Sequence, residues 1–328
     1  MVALENFEDL RNYPRPRGSN SAMKPFTHTK KVLLCAIAVL SLAVPANAAA
    51  TCGRGSGQVA AVDYGAGPQI ELLQANGRGR VIYRGLKTEE ATIGGLAFSC
   101  SGAQLAFSEG GGNPSPALIV LGIASGKARA VPTERLTASH PTFTRSGRII
   151  FSGGRTGAGR EGGTYEVRPD GSGLHRLFGR RELAATAAGD AFVATDPKGN
   201  LRSLFLLDRK GRVTHRIAGP TAAGVEDLDP TFSPDGRLIA YTEQREAGRQ
   251  FHRTIWVVRR DGSHRRRLTF GSESAGEPSF SPDGRRVVFT ASSSSAGGAL
   301  YTLPLAAPHK TRKLSLSSGF LAPAWSGR

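Results

Sequence analysis

Within a recurring stretch of this chain, acidic or imidazole side chains stand directly before proline at three places: His140-Pro141, Asp229-Pro230 and Glu277-Pro278. Glu226 and Asp227 lie just ahead of the second. Carboxylates gathered with an imidazole can hold a cation or a basic peptide, and around a metal they can run hydrolase or lyase chemistry. One histidine is not a ligand set, because transition-metal sites draw on several nitrogen or sulfur donors. The histidines at 175, 215, 252, 264 and 309 fall in other segments, and no Cys-x-x-Cys or Cys/His spacing suggests zinc. No cofactor and no bound metal are therefore expected.

A second cluster is cationic. Arg259, Arg260, Arg265, Arg266 and Arg267 crowd one short stretch, and Arg245, Arg249 and Arg253 precede it. Together they could form an anion-binding edge. Asp235 and Asp283 look like a pair of acids, but each sits in Ser-Pro-Asp-Gly, where Asp accepts backbone amides of the turn. The segments 153–163 and 291–298 are rich in glycine or serine. The first has Gly-x-Gly spacing, yet it runs from strand to strand. No helix follows to offer its N-terminus to a phosphate.

The elements that must position these residues are read from a repeat. Pro230-Thr231-Phe232-Ser233-Pro234-Asp235-Gly236 leads into Leu238-Ile239-Ala240-Tyr241-Thr242, and Pro278-Ser279-Phe280-Ser281-Pro282-Asp283-Gly284 into Val287-Val288-Phe289-Thr290. Each copy reads strand, tight turn, strand. Weaker copies centre on Gly102, Gly147, Gly189 and Gly327, so the unit recurs about every 45 residues. A second hairpin follows in each unit, as at Asp170-Gly171 and Asp261-Gly262, a strong hairpin signal between apolar runs. Four short strands per unit is the blade of a β-propeller. The units are 93–131, 139–179, 182–219, 226–271 and 276–319. A sixth is split, with 57–85 supplying three strands and 320–328 the missing first one. An open solenoid has no use for such half-units, whereas sharing a blade closes a ring and removes exposed edges. The fold class is all-β: a six-bladed propeller of four-stranded blades with one blade shared by the two chain ends.

The Pro-x-Phe-Ser-Pro-Asp-Gly text resembles the WD-like repeats of TolB-type six-bladed propellers over essentially all of 57–328. The resemblance is specific for fold and nearly silent about activity. It implies a binding scaffold, or the non-catalytic half of certain peptidases whose hydrolase domain has no counterpart here. No Gly-x-Ser-x-Gly elbow of the hydrolase kind can be placed. In such a blade the first strand lies nearest the axis. His140, Asp229 and Glu277, with Glu226 and Asp227 on the approach, would then form a polar rim at the channel mouth, each pre-proline residue held extended by the proline after it.

Residues 1–22 read as an upstream start or a disordered extension, 23–48 as a signal peptide and 49–56 as a tail. Lys24, Lys30 and Lys31 precede an apolar stretch from Val32 to Val44, and Ala46-Asn47-Ala48 suits cleavage. A stretch of about 13 residues is too short to span a bilayer. Cys35 would leave with the signal. Cys52 and Cys100 would then pair in an oxidising compartment, secreted or periplasmic. The formal net charge is +17, which favours anionic partners. Aromatics are not interleaved with the basic clusters, so no specific nucleic-acid partner is expected. The expectation is a non-enzymatic monomer that binds a protein or an anionic cell-envelope polymer. The competing class is a propeller lyase or hydrolase with an acidic site in the axial funnel.

Overall fold

In a computed structural model, residues 57–326 are described except 66, 75, 89, 112–115, 156–161, 180–183, 187, 196–202, 220–223, 249, 272, 293–297 and 316–318. The segments 1–22, 23–48 and 49–56, with Cys52, lie outside the described residues, as does Arg249.

The described chain forms six four-stranded antiparallel sheets. Blade I holds β1 (Val59–Asp63), β2 (Gln69–Leu73) and β3 (Gly79–Arg84). Blade II holds β4 (Ala91–Phe98), β5 (Gln104–Gly111), β6 (Ala117–Gly122) and β7 (Ala128–Ala130). Blade III holds β8 (Leu136–Phe143), β9 (Ile149–Arg155), β10 (Gly162–Val167) and β11 (His175–Phe178). Blade IV holds β12 (Ala184–Ala185), β13 (Phe192–Thr195), β14 (Leu204–Leu207) and β15 (Val213–Ala218). Blade V holds β16 (Val225–Phe232), β17 (Leu238–Ala247), β18 (Gln250–Arg259) and β19 (Arg266–Arg267). Blade VI holds β20 (Ser274–Phe280), β21 (Arg286–Ser292), β22 (Ala299–Pro304) and β23 (Arg312–Lys313). The last strand, β24 (Phe320–Trp325), returns to blade I and pairs antiparallel with β1, Val59 opposite Trp325 and Asp63 opposite Phe320. The split blade expected from the half-units at the two ends is thus present.

The repeat's turn explains why these strands fold back where they do. Gly102, Gly147, Gly189, Gly236 and Gly284 all have φ between 66° and 79°. A left-handed φ costs glycine nothing and a β-carbon 1–2 kcal/mol or so. Each glycine amide donates to the carbonyl three residues back, as from Gly236 to Ser233 at 2.8 Å. Even the poorest copy, around Gly189, makes the same bond, to Thr186 at 2.9 Å. Asp235 accepts from the Ser233 hydroxyl and from the Arg237 amide at 3.1 Å, so its carboxylate is a turn clamp. Asp283 does the same with Ser281 and Arg285.

The core lies between blades. Ile239 and Tyr241 of blade V pack on Val193 and Leu206 of blade IV. Val59 and Ala61 of blade I pack on Val288 and Leu300 of blade VI. Equivalent apolar clusters join the other neighbours, so the ring is closed by burial as well as by the β24–β1 ladder.

Candidate functional site

The innermost strands surround an axial cavity of about 460 Å³. His140, Asp229 and Glu277 line it, among walls that include Leu96, Phe98 and Leu321. Three of the five sequence-selected rim residues therefore share one site. They stand midway along β8, β16 and β20 rather than at the strand entrances.

What turns them to the axis is a bulge. The ladder register slips between Ser139 and Thr142, between Leu228 and Thr231, and between Gly276 and Ser279. At each slip the residue before proline has a positive φ: 51° at His140, 49° at Asp229 and 55° at Glu277. Ala322, before Pro323, has 47°, and Gly95 takes the same place in β4 with 62°. The extended conformation expected of these residues is corrected. Proline disfavours the right-handed helical region, but the inner strand must kink, and the kink drives the preceding residue left-handed. Asp and His accept that region more readily than most side chains. Gly95 is glycine for a further reason, since a β-carbon there would sit 2.8 Å from the ring of Pro141. Among the described residues, five of the six inner strands thus carry a left-handed residue at this place.

Glu277 is the anchored member. Its Oε2 accepts from the Ala322 amide of β24 at 2.8 Å and from the Thr290 hydroxyl at 3.3 Å. Its own amide donates to Thr242 of blade V at 3.1 Å. It thereby ties three consecutive blades, V, VI and I, together. Burial raises its pKa, the Asp229 carboxylate adds to the rise, and the two hydrogen bonds oppose it. The ring of His140 is exposed to the cavity, yet the close protein walls strip part of its hydration and lower its pKa. Among the described residues, no group of three or more His, Cys, Asp or Glu is placed to share a metal ion.

Glu226 and Asp227 do not line the cavity. Glu226 accepts from Gln244 at 3.4 Å. Asp227 is fully buried, and neither carboxylate oxygen has a hydrogen-bond partner. Desolvation pushes its pKa up to about 7 and Glu243 adds to the rise, against the pull of Arg265, Arg216 and Arg245. The placement of Asp227 on an axial rim is thus corrected: it faces the polar interior of blade V.

The five arginines also divide. Arg265 is held inside by Glu243 and by the Tyr241 hydroxyl, with its guanidinium 4.0 Å from the centre of the Trp256 ring. Glu243 binds Arg245 as well, at 2.8 Å, and its side chain is 2 % exposed. Arg265 is a structural cation, not part of a free anion-binding edge. Arg260 pairs with Asp190 of blade IV at 3.3 Å. Arg266 donates to the Leu305 carbonyl at 3.0 Å, and Arg267 bonds the Thr269 carbonyl and lies over Phe270. Arg259 is exposed. The Tyr241–Glu243–Arg265–Trp256 network was the feature that motif reading missed. Its signal was strand alternation: Glu243 is in phase with buried Ile239 and Tyr241.

Cys100 lies in the turn between β4 and β5 and is disulfide-bonded; neither Cys35 nor Cys52 is among the described residues.

No family model matches the sequence, and no curated protein matches it. Solved structures do. TolB from Acinetobacter baumannii aligns over 83% of this chain and 67% of its own, with 19% identity and a TM-score of 0.64. A protein assigned to TolB in Agrobacterium tumefaciens aligns over 82% and 92%, with 18% identity and a TM-score of 0.61. Hydrazine synthase from Kuenenia stuttgartiensis aligns over 85% and 47%, with 13% identity and a TM-score of 0.62. At such identities the likeness is one of fold, and in its fold this chain is a TolB-like six-bladed β-propeller.

Proposed function

We propose that this protein is an exported, non-enzymatic propeller that binds a segment of a partner protein, or of a cell-envelope polymer, in its axial cavity. The observation that carries the reading is the ring of strained pre-proline residues, which sets Asp229, Glu277 and His140 on the wall of one cavity among apolar side chains. Two carboxylates beside apolar walls suit a cationic group on an otherwise apolar segment. The likeness in fold to TolB supports a scaffold that binds rather than converts. The same reading removes residues 23–48 on export with cleavage near Ala48, places the mature monomer in the periplasm or outside the cell, and pairs Cys52 with Cys100.

The test is capture from an envelope extract by the parent and by an Asp229→Asn, Glu277→Gln protein. Gln keeps an acceptor for the Ala322 amide, so the fold should survive, as a thermal melt would confirm. The parent should retain a partner that the variant loses. Equal retention of that partner by both proteins would contradict the assignment of the cavity.

A further inference from the structure

The short turns of every blade gather on one face. In an antiparallel meander the first-to-second and third-to-fourth turns end at the same edge. Backbone bonds join them directly: Ile123 donates to Ala103 at 2.9 Å, Arg260 to Arg237 at 2.8 Å and Leu305 to Arg285 at 2.8 Å. This face is basic around its whole circumference. Arg78, Lys127, Arg168, Lys210, Arg237 and Lys310 are exposed turn residues of blades I to VI in order. Several turns carry a second exposed cation, such as Arg209 and Arg285. The carboxylates there are fewer, and they clamp their own turns: Asp170 accepts from the Ser172 amide, Asp208 from Lys210 and Asp261 from Ser263. The opposite face is of mixed sign, with Glu90, Glu134, Glu246 and Glu273 beside Lys87 and Arg135.

The chain also enters the propeller on the turn face. Ser326 donates to the Gln58 carbonyl at 2.8 Å, where blade I would otherwise have its first turn, and Trp325 Nε1 donates to the Gly57 carbonyl at 2.8 Å. The Cys100 turn, with its disulfide, is on the same face.

We propose that the turn face docks on an anionic lipid bilayer. Cations spread over all six blades can be engaged at once by a flat charged surface. A linear polyanion would follow a stripe or groove, and would touch only those along one path across the ring. The inference does not depend on what the axial cavity binds.

The full chain is tested by sedimentation with vesicles of phosphatidylcholine, alone or with about one third phosphatidylglycerol, at low salt. The variant Arg209→Gln, Lys210→Gln, Arg237→Gln, Arg285→Gln changes exposed side chains only and should melt with the parent. Its N-terminal segment is unchanged, so any difference reports the turn face. Each cation near an anionic surface contributes about fivefold in affinity, or about 1 kcal/mol. The variant should bind anionic vesicles at least about a hundredfold more weakly, and raised salt should release the parent, because exposed charges are screened within about 10 Å. The Asp229→Asn, Glu277→Gln protein should bind vesicles as the parent does. Equal binding by the fourfold variant and the parent would overturn the proposal. So would release of the parent from vesicles by soluble polyglutamate at matched charge, which would make an acidic polymer the ligand.

Discussion

Replacing Asp227 by Asn should remove a fall in stability that the parent shows as pH rises from mildly acid to neutral. The carboxyl is fully buried with no hydrogen-bond partner. Arg265, the cation whose charge most opposes its pKa rise, is already engaged by Tyr241 and Glu243. Desolvation lifts the pKa from the ordinary 3.8 to about 7, so between those values the native state binds a proton that the unfolded chain has released. Stability then falls with rising pH at up to about 1.4 kcal/mol per unit. Over the whole interval this is about 4 kcal/mol at most, since water entry and side-chain relaxation reduce it. His140 acts in the opposite sense: its depressed pKa makes the unfolded chain the better proton binder, so its contribution grows with pH. That contribution is common to both proteins and cancels in their difference. Urea unfolding of parent and variant at a series from about pH 5 to pH 8 gives that difference directly. The variant should gain at least about 2 kcal/mol on the parent across the series. A difference that stays constant with pH would show that Asp227 does not titrate there, and the reasoning from its burial would fail.

Three further outcomes follow from the ring, the disulfide and the blade V network. Deleting 320–328 removes β24, frees the edge of β1 and exposes the Val59–Ala61 cluster; the product should melt lower and self-associate, and a monomer melting with the parent would contradict closure by the split blade. Pairing of Cys52 with Cys100 closes a loop of about 50 residues, for which the chain-entropy model gives on the order of 4 kcal/mol. Non-reducing peptide maps should return the two cysteines linked, and recovery of both as alkylatable thiols would exclude the pair. Arg265→Ala leaves Glu243, 2 % exposed, with Arg245 as its remaining ion-pair partner, and should cost about 3–5 kcal/mol in urea unfolding. A cost under about 1 kcal/mol would show that the network is solvated in solution.

The blades were legible because the turn chemistry is local. Ser-Pro-Asp-Gly specifies a glycine with positive φ and a clamping aspartate, and both are found. Even at Gly189, where the text is degraded to Ala187-Ala188-Gly189, the aligned glycine alone placed the turn. The split blade was legible from chain arithmetic, since a unit lacking its first strand and a first strand lacking its unit fit one another. The arginines were not legible as a group. Arg265 and Arg266 are adjacent, yet one is stacked on Trp256 and bonded to Glu243 while the other is exposed. Which neighbour a long side chain finds depends on strands far apart in the sequence.

The carboxylates of β16 show most directly where local reading ends. Asp227 and Asp229 are two residues apart, and strand alternation assigns both to one face. The register slip between Leu228 and Thr231, with Asp229 at φ 49°, breaks that alternation. Asp229 is delivered to the axial cavity, and Asp227 stays on the buried face opposite Glu243 of β17. One inserted residue thus separates an acid able to meet a ligand from an acid able to sense pH. Proline marks the place in the sequence, but the direction of the kink is set by the inner strand's position in the ring. The same device recurs at His140 and Glu277. A pre-proline acid or histidine on the inner strand of such a blade is therefore better read as a bulge residue turned to the axis than as an extended one.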